Sequence, residues 1–576
     1  MTRAPLRTAL RTSVALALLV RLAVGTAEAQ QFPVCPLPGS IGPDVIVGDI
    51  QAIANYPSVG TLEALMPGTT SCNVGTAPLN WIANTTQHPL IGGTIYRHRV
   101  VGGSGRFEQI GQSWLKHAFF ALSQTLCCSN CAPSDGTRLG VGCSDPYSPA
   151  RNGNQMSLGP RFQVSPHAGA FVYPPPHPSG GNNGRIQVEI ADLEVTGGPG
   201  AARYFVEASY VAPDDSQSNN NDNNASWREL SVSGSGTAWD FAPMATTTRM
   251  QTAIEAWPQV EPGVTLVDVA VSEGTPAPID GLSRMILGFH VTDLGGGTWH
   301  YEYALHNMNS DAAARLFRVP VGAGVQLSNV EFHDVAYRGG DGPGLVDFDG
   351  TDWPVLELPG EITWSTQSFL QSNRANALRW GTTYNFRFDA NAPPTSGTIT
   401  IGMYRNSNSV AVAGVDVPGW PQPGVATCAG DGTGAAPCPC ANSGAPGHGC
   451  AHSVNAAGAR LQAGGATNSD TVSLLATELV AGGAAFFLAG ADLPGGVTFG
   501  DGLLCLSSPI IRLGSVAIAG GAAEYPQAGG LPLSVVGGTP PGSGLVGHYQ
   551  VVFRNAAAAF CPPGTSNTSN AYQVTW

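Results

Sequence analysis

Charge is scarce in this sequence. Charged side chains make up 11% of its 576 residues, less than half of the share of about 25% usual in globular chains. Lysine is nearly absent: of 26 lysines and arginines, Lys116 is the only lysine. Genome composition accounts for such a bias, which by itself carries no function. The formal net charge is −14, so the basic footprint that a phosphate backbone requires is missing and nucleic acid is excluded as a partner. No polybasic segment would hold the mature chain on an anionic membrane. No stretch reaches the ~20 apolar residues of a membrane helix, so no membrane span is expected. Absent too are a G-x-S-x-G elbow, an H-E-x-x-H pair, a phosphate-cradling glycine loop and a dinucleotide fingerprint. A glycosidase pair among the scattered carboxylates would be spatial, and sequence alone does not reveal it.

Turn residues are plentiful instead, with 75 glycines and 45 prolines, and 43% of the residues are apolar. A chain short of charge and rich in turns reads as many short strands joined by tight connections. Its length calls for at least two domains. Residues 1–29 read as a signal peptide: Arg3, Arg7 and Arg11 precede the apolar Val14–Val20, and Ala27-Glu28-Ala29 offers a cleavage site. Export to the cell envelope or medium would suit the twelve cysteines as disulfides. Six lie at the front (Cys35, Cys72, Cys127, Cys128, Cys131, Cys143) and six at the back (Cys428, Cys438, Cys440, Cys450, Cys505, Cys561). Even counts suggest two separately stapled domains, and six cysteines permit 15 pairings in each.

The expected fold is mainly β. Residues 30–183 form a cysteine-rich α+β domain with one amphipathic helix, from about Arg106 to Leu126, where Phe107, Ile110, Trp114, Ala118, Phe119, Leu122 and Leu126 recur at helical spacing. Residues 184–412 read as a β-sandwich region, with clean alternation in Arg185–Ile190, Tyr204–Tyr210 and Met285–Val291. The Asp214–Asn224 tract is too polar to pack and reads as a surface loop. A Pro/Gly linker follows over 413–427. Residues 428–576 form a Gly-rich, disulfide-stapled β module.

Several segments carry a resemblance. Cys428-Ala-Gly-Asp-Gly-Thr-Gly434, Cys438-Pro-Cys440, Asn442-Ser-Gly-Ala-Pro-Gly-His-Gly-Cys450 and Phe499-Gly-Asp-Gly502 resemble a recurrent C-terminal module of exported multi-domain proteins from aquatic bacteria with large secretomes. Ser113–Ser123, Val141–Tyr147 and Asn376–Phe386 are similar to segments of the same group. The resemblance implies export and modular architecture. The group has no assigned activity, so it implies no catalytic residues.

Four constellations are candidates for chemistry. Lys116 and His117 on the expected helix offer a titratable amine beside an imidazole, completed by residues near Cys143-Ser144-Asp145; the ordinary explanation is a solvated helix face, or a Lys116 stem packed over Trp114. In Trp299–His306, alternation puts Tyr301, Tyr303 and Leu305 on one face and His300, Glu302 and His306 on the other. A hairpin turn at Leu294–Gly297 would set His290 opposite His300, making His290, His300 and Glu302 a candidate metal trio. Glu331 and His333 share a face on a later strand. The ordinary explanation is a polar outer face behind an aromatic core. Cys438, Cys440 and Cys450 with His448 and His452 are soft ligands, but the spacing and the export signal favour disulfides. Asp347, Asp349 and Asp352 have calcium-loop spacing without the further ligands of an EF-hand.

Two functional classes follow. One is an extracellular or envelope interaction protein whose β-domains hold a polysaccharide or an envelope protein. The other is a secreted enzyme with its site near Lys116 and His117, or with a metal on the central sheet.

Overall fold

The computed structural model describes residues 31–576 apart from 156–157, 177–181, 275–280, 420–422, 435 and 558. The expected signal peptide lies outside the described residues. Alternation builds the first sheet. In Arg203–Val211, Tyr204, Val206 and Ala208 enter one apolar core, while Phe205 joins a second on the opposite face. The main path of this antiparallel sheet runs Val45–Val59, Leu62–Asn73, Ile186–Glu189, Ser104–Gln112, Leu90–Val101, Arg203–Val211, Ala225–Ser235, Ala238–Pro243. The sheet curls until its two ends meet: Phe241 N donates to Asn55 Oδ1 at 3.1 Å, and Ser226 Oγ donates to the Val47 carbonyl at 2.6 Å. A single sheet thus encloses Val45, Val47, Ile95, Val188, Val206 and Val232. It runs straight across residue 183, so strands expected in the central region complete the first domain.

The helix expected over 106–126 is not formed. Ser104–Gln112 and Leu115–His117 are strands, and 118–126 is irregular. The reason is burial on both faces. Phe107 lies in the cluster toward the next domain and Ile110 in the first core. A bulge opposite Ile95 and Tyr96 leaves Ile110 between the paired Gln109 and Gly111. Three-residue apolar spacing, a helical signal in isolation, is here a strand with both faces covered. Asp214–Asn224 is likewise not a plain surface loop. Asp215 is buried, accepting from Val45 N (2.9 Å) and Asn224 Nδ2 (2.8 Å).

The sandwich is shorter than expected and uses residues 265–418. One sheet runs Thr265–Val271, Ser283–Gly295, Thr298–Asn307, Thr382–Ala390, Leu327–His333. The other runs Val355–Leu358, Glu361–Ser365, Ala314–Pro320, Pro394–Met403, Ser409–Pro418. Tyr301, Tyr303 and Leu305 face the core between them, with Phe317 stacked on Phe386 at 4.2 Å. The expected linker is mostly ordered sheet: Ser409–Pro418 belongs to the sandwich and Gly424–Thr427 pairs with the C-terminal Ala571–Thr575. Trp420–Gln422 lies outside the described residues. The C-terminal module packs the sheet Gly424–Thr427, Ala571–Thr575, Val546–Arg554, Ala484–Phe499, Gly502–Ala517 over a three-stranded one around Leu461, Leu474, Phe487 and Tyr549.

All twelve cysteines pair, and each pair stays within its cluster. The bonds are Cys35–Cys128, Cys72–Cys127 and Cys131–Cys143 at the front, and Cys428–Cys505, Cys438–Cys450 and Cys440–Cys561 at the back.

Candidate functional site

The curled sheet and the sandwich meet face to face, and a group of buried charged residues from both domains lies in that seam. Arg387, in the strand Thr382–Ala390, donates from Nε to Glu302 Oε2 (2.7 Å) and from Nη2 to both Glu302 Oε1 (3.0 Å) and Glu108 Oε1 (2.9 Å). Glu108 belongs to the first domain and also holds Arg97 at 2.9 Å. Burial opposes the Glu108 charge, but His333, Arg387 and Arg97 outweigh it and hold the carboxyl down at about 2. A second junction lies nearby. Glu261 accepts from His98 of the first sheet at 3.0 Å, contacts His290 of the sandwich at 2.9 Å, and accepts from Trp257 Nε1 at 2.6 Å. Gly105 N donates to the same carboxylate at 3.1 Å, and a Cβ on Gly105 would fall 1.9 Å from it, so only glycine permits the approach. Burial opposes the Glu261 charge as well, and the bonds from His290, His98 and Trp257 overcome it, holding the carboxyl well below its usual range.

This geometry corrects the metal trio. The hairpin forms, but Thr292 stands opposite His300 and His290 opposite Glu302. His300 uses both ring nitrogens on carboxylates, Nδ1 with Asp389 at 2.7 Å and Nε2 with Glu302 at 3.4 Å. Burial pulls its pKa down, but Glu302 and Asp389 raise it more. With both ring nitrogens already turned to carboxylates, His300 offers no free lone pair to a metal. His290 turns to Glu261, and Glu302 to Arg387. Among the described residues no group of three or more His, Cys, Asp or Glu has metal-holding geometry. The face carrying His300, Glu302 and His306 is not solvated; it is buried against the first domain. Glu331 and His333 serve the same seam, Glu331 with Arg106 at 3.0 Å and His333 Nε2 with the Gln109 carbonyl at 3.1 Å.

Lys116 and His117 lie in neither a helix nor solvent. Lys116 is 0% exposed, and its amine lies 3.1 Å from both Met66 Sδ and Ser113 Oγ. Burial, with Arg161 adding to it, drives the lysine pKa far down. Its N–H groups meet these two acceptors. His117 Nδ1 is 2.7 Å from His88 Nε2 within a ring of Phe171 and Tyr173. Burial above all depresses both imidazoles, to about 4 for His88 and about 3 for His117, where the His88 ring adds to the effect. Ser144 and Asp145 do not complete a site there. They anchor the 121–126 segment, Asp145 Oδ1 accepting from Leu122 N at 3.0 Å and Ser144 Oγ from Leu126 N at 2.9 Å.

The remaining motifs resolve locally. Cys438, Cys440 and Cys450 are in disulfides, while His448 pairs with the Glu478 carboxylate at 3.2 Å and His452 with its carbonyl at 2.6 Å. Asp349 Oδ1 caps Thr351 N at 2.9 Å, and Asp347 accepts from Gly340 N, so the two carboxylates serve their own turns. Sequence reading missed the residues around Trp380. Arg161, Asp341 and Arg379 line a small cavity on one side of that indole, and Glu207 and His306 line another. Burial pushes Glu207 up to about 7. The available signal was an ionisable residue inside an alternating strand, as with Glu207 in Tyr204–Tyr210.

The class this defines is a disulfide-bonded, multi-sheet β protein whose bond pattern is that of folding in an oxidising compartment. Among the described residues no helix is long and apolar enough to cross a membrane. No protein-family model matches the chain, and no curated protein matches it. Among solved structures it is similar to a serine-rich repeat adhesion glycoprotein from Streptococcus agalactiae, with 9% identity over 64% of this chain and 96% of that one, at a TM-score of 0.16. Another is a tetra-tandem repeat from the extending region of a large adhesion protein, with 10% identity over 88% and 95%, at 0.12. At scores this far below 0.5 neither likeness establishes a common fold, and nothing of their biology passes to this chain.

Proposed function

We propose that this chain is an exported envelope or extracellular interaction protein, a stiff scaffold that holds a polysaccharide or protein partner while its C-terminal module serves retention or assembly. One observation carries the reading: the ionisable residues in the seam bind its two domains together, Arg387 joining Glu302 to Glu108 at 2.7–3.0 Å. Such residues rigidify rather than react. The disulfide-pinned 119–126 segment, with Phe120 67% exposed, is the surface to probe first. The test is retention of native envelope fractions and purified polysaccharides on the immobilised mature chain, with a Phe119→Ser/Phe120→Ser variant beside it. Saturable retention of a defined component is expected, and a panel with no specific binder would overturn the reading.

A second reading, a secreted enzyme using the Lys116 amine as base, is favoured by the 3.1 Å approach of that amine to Ser113 Oγ, with burial pushing the lysine pKa down. Against it, Ser113 Oγ already donates to the Trp114 carbonyl at 2.7 Å and accepts from Gly93 N at 3.1 Å. Labelling of Ser113 by a serine-directed phosphonate, lost in Lys116→Met, would establish it; absence of labelling in the folded chain would end it.

A further inference from the structure

The sandwich and the C-terminal module leave an open cleft between them. The space measures about 600 Å³, within the roughly 300–1,000 Å³ of ligand-binding clefts. Gly324, Gln326 and Pro359 line it from the sandwich, and Asp470, Glu524 and Gln527 from the module. One hydrogen bond joins the two sides, Gly324 N donating to Glu524 Oε1.

The lining selects by charge and by shape. It includes Asp470 and Glu524 but, among the described residues, no lysine, arginine or histidine. Anions are therefore repelled and a cation is attracted. Among the described residues the lining also lacks an aromatic ring, so a flat aromatic ligand finds nothing to stack on.

The acceptors in the cleft lack donors. Burial raises the Glu524 pKa above its ordinary value, against the pull of the Gly324 N–H and the neighbouring Ser473 hydroxyl. Ser473, another lining residue, is 5% exposed, and its Oγ reaches no partner at hydrogen-bond geometry among the described residues. Asp470 Oδ1 is likewise unpartnered. Gly324, with φ at 72°, lets these groups converge: a Cβ there would lie 3.1 Å from Ser473 Oγ. An ammonium group brings three N–H donors and a positive charge to such acceptors. Gln326 and Gln527 are exposed along the same cleft, and their amides both donate and accept, as hydroxyl groups require.

We propose that this cleft binds an amino sugar, its ammonium group met by the Glu524 and Asp470 carboxylates and its hydroxyls by the Gln326 and Gln527 amides. The proposal rests on the polysaccharide-holding reading above and gives that ligand a chemical class and a place.

The experiment is calorimetric titration of the mature chain at pH 6 with a β-linked glucosamine trimer, the same trimer fully N-acetylated, glucose, and N-acetyl-lysine amide. The glucosamine trimer is expected to bind saturably at one site, and the acetylated trimer at least about tenfold more weakly, the loss of one charge-assisted hydrogen bond. Glucose lacks the charge and the lysine amide lacks the hydroxyls, so neither is expected to saturate. Glu524→Gln should weaken the glucosamine trimer about tenfold. Ala528→Trp, at an exposed lining position, should block the cleft while leaving the thermal midpoint as in the parent. The proposal is overturned if the glucosamine trimer does not saturate, if the acetylated trimer or the lysine amide binds as tightly, or if a folded Ala528→Trp protein binds like the parent. Envelope fractions retained by a parent chain that ignores the trimer would sink this site and leave the interaction reading standing. Trimer binding by a chain that retains no envelope component would do the opposite.

Discussion

Replacing Arg387 by methionine removes the cation that joins the two domains while keeping an unbranched apolar stem. The structure gives the expected cost. Glu108 would keep Arg97 at 2.9 Å and Arg99 at 3.4 Å. Glu302, with a side chain 0% exposed, would keep only Asn385 at 3.0 Å and His300 at 3.4 Å. Breaking a buried pair from one side strands the other charge, at about 3–5 kcal/mol, and most of that falls on Glu302. With a urea dependence of about 2 kcal/mol per molar, the unfolding midpoint should drop by about 2 M. The assay is urea unfolding followed by tryptophan fluorescence, since Trp257 is buried in the same seam. Adding Glu302→Gln to Arg387→Met should restore part of the loss, because the stranded carboxylate is gone. The two effects should therefore fall short of additivity by about 0.5–3 kcal/mol. A fully additive pair, or an Arg387→Met protein as stable as the parent within about 0.5 kcal/mol, would refute the account of the seam.

Three further outcomes are expected. His88 and His117 are held neutral, at about 4 and about 3 against an ordinary 6.5. The unfolded chain therefore binds more protons between these values, and stability present above pH 6.5 is lost as pH falls toward 4. The loss amounts to a few kcal/mol, at about 1.4 per unit of pKa difference. His88→Phe should flatten the fall in urea midpoint between pH 7 and pH 4.5, and an unchanged fall would count against the pair. Lys116→Met should leave the thermal midpoint unchanged or higher, because burial drives the amine toward its neutral form, whereas Lys116→Arg should lower it by several degrees; the reverse order in calorimetry would mean the amine is charged. Opening Cys131–Cys143, which closes a sequence separation of 12 residues, should cost about 3 kcal/mol from loop entropy alone. A Cys131→Ser/Cys143→Ser protein with unaltered unfolding would show that the neighbouring bonds already fix that loop.

Local chemistry was enough for part of this architecture. The even split of the cysteines anticipated that every bond would stay within its own cluster, because nearly 300 residues without cysteine separate the two groups. The alternation in Trp299–His306 placed Tyr301, Tyr303 and Leu305 in the sandwich core, because strand side chains alternate whatever lies beyond them. The glycines of Leu294–Gly297 marked the hairpin. Its register was a different matter. A shift of two residues, invisible to residue types, put Thr292 opposite His300 and His290 opposite Glu302, and the partners Glu261 and Arg387, not the register, took the trio apart. What covers the second face of a sheet is also not written locally. Glu302, His300 and Lys116 looked like surface residues because polar side chains usually face water, yet the first domain's sheet lies over Glu302 and His300, and Lys116 is enclosed within the curl of its own sheet. Phe107 and Ile110 suggested a helix because a bulge and two-sided burial mimic helical spacing. Only the packing of the first domain against the sandwich brought Glu108 to Arg387 and Arg161 to Trp380. Residues so far apart in the chain meet through sheet pairing and domain docking, which depend on the whole chain at once rather than on any one segment.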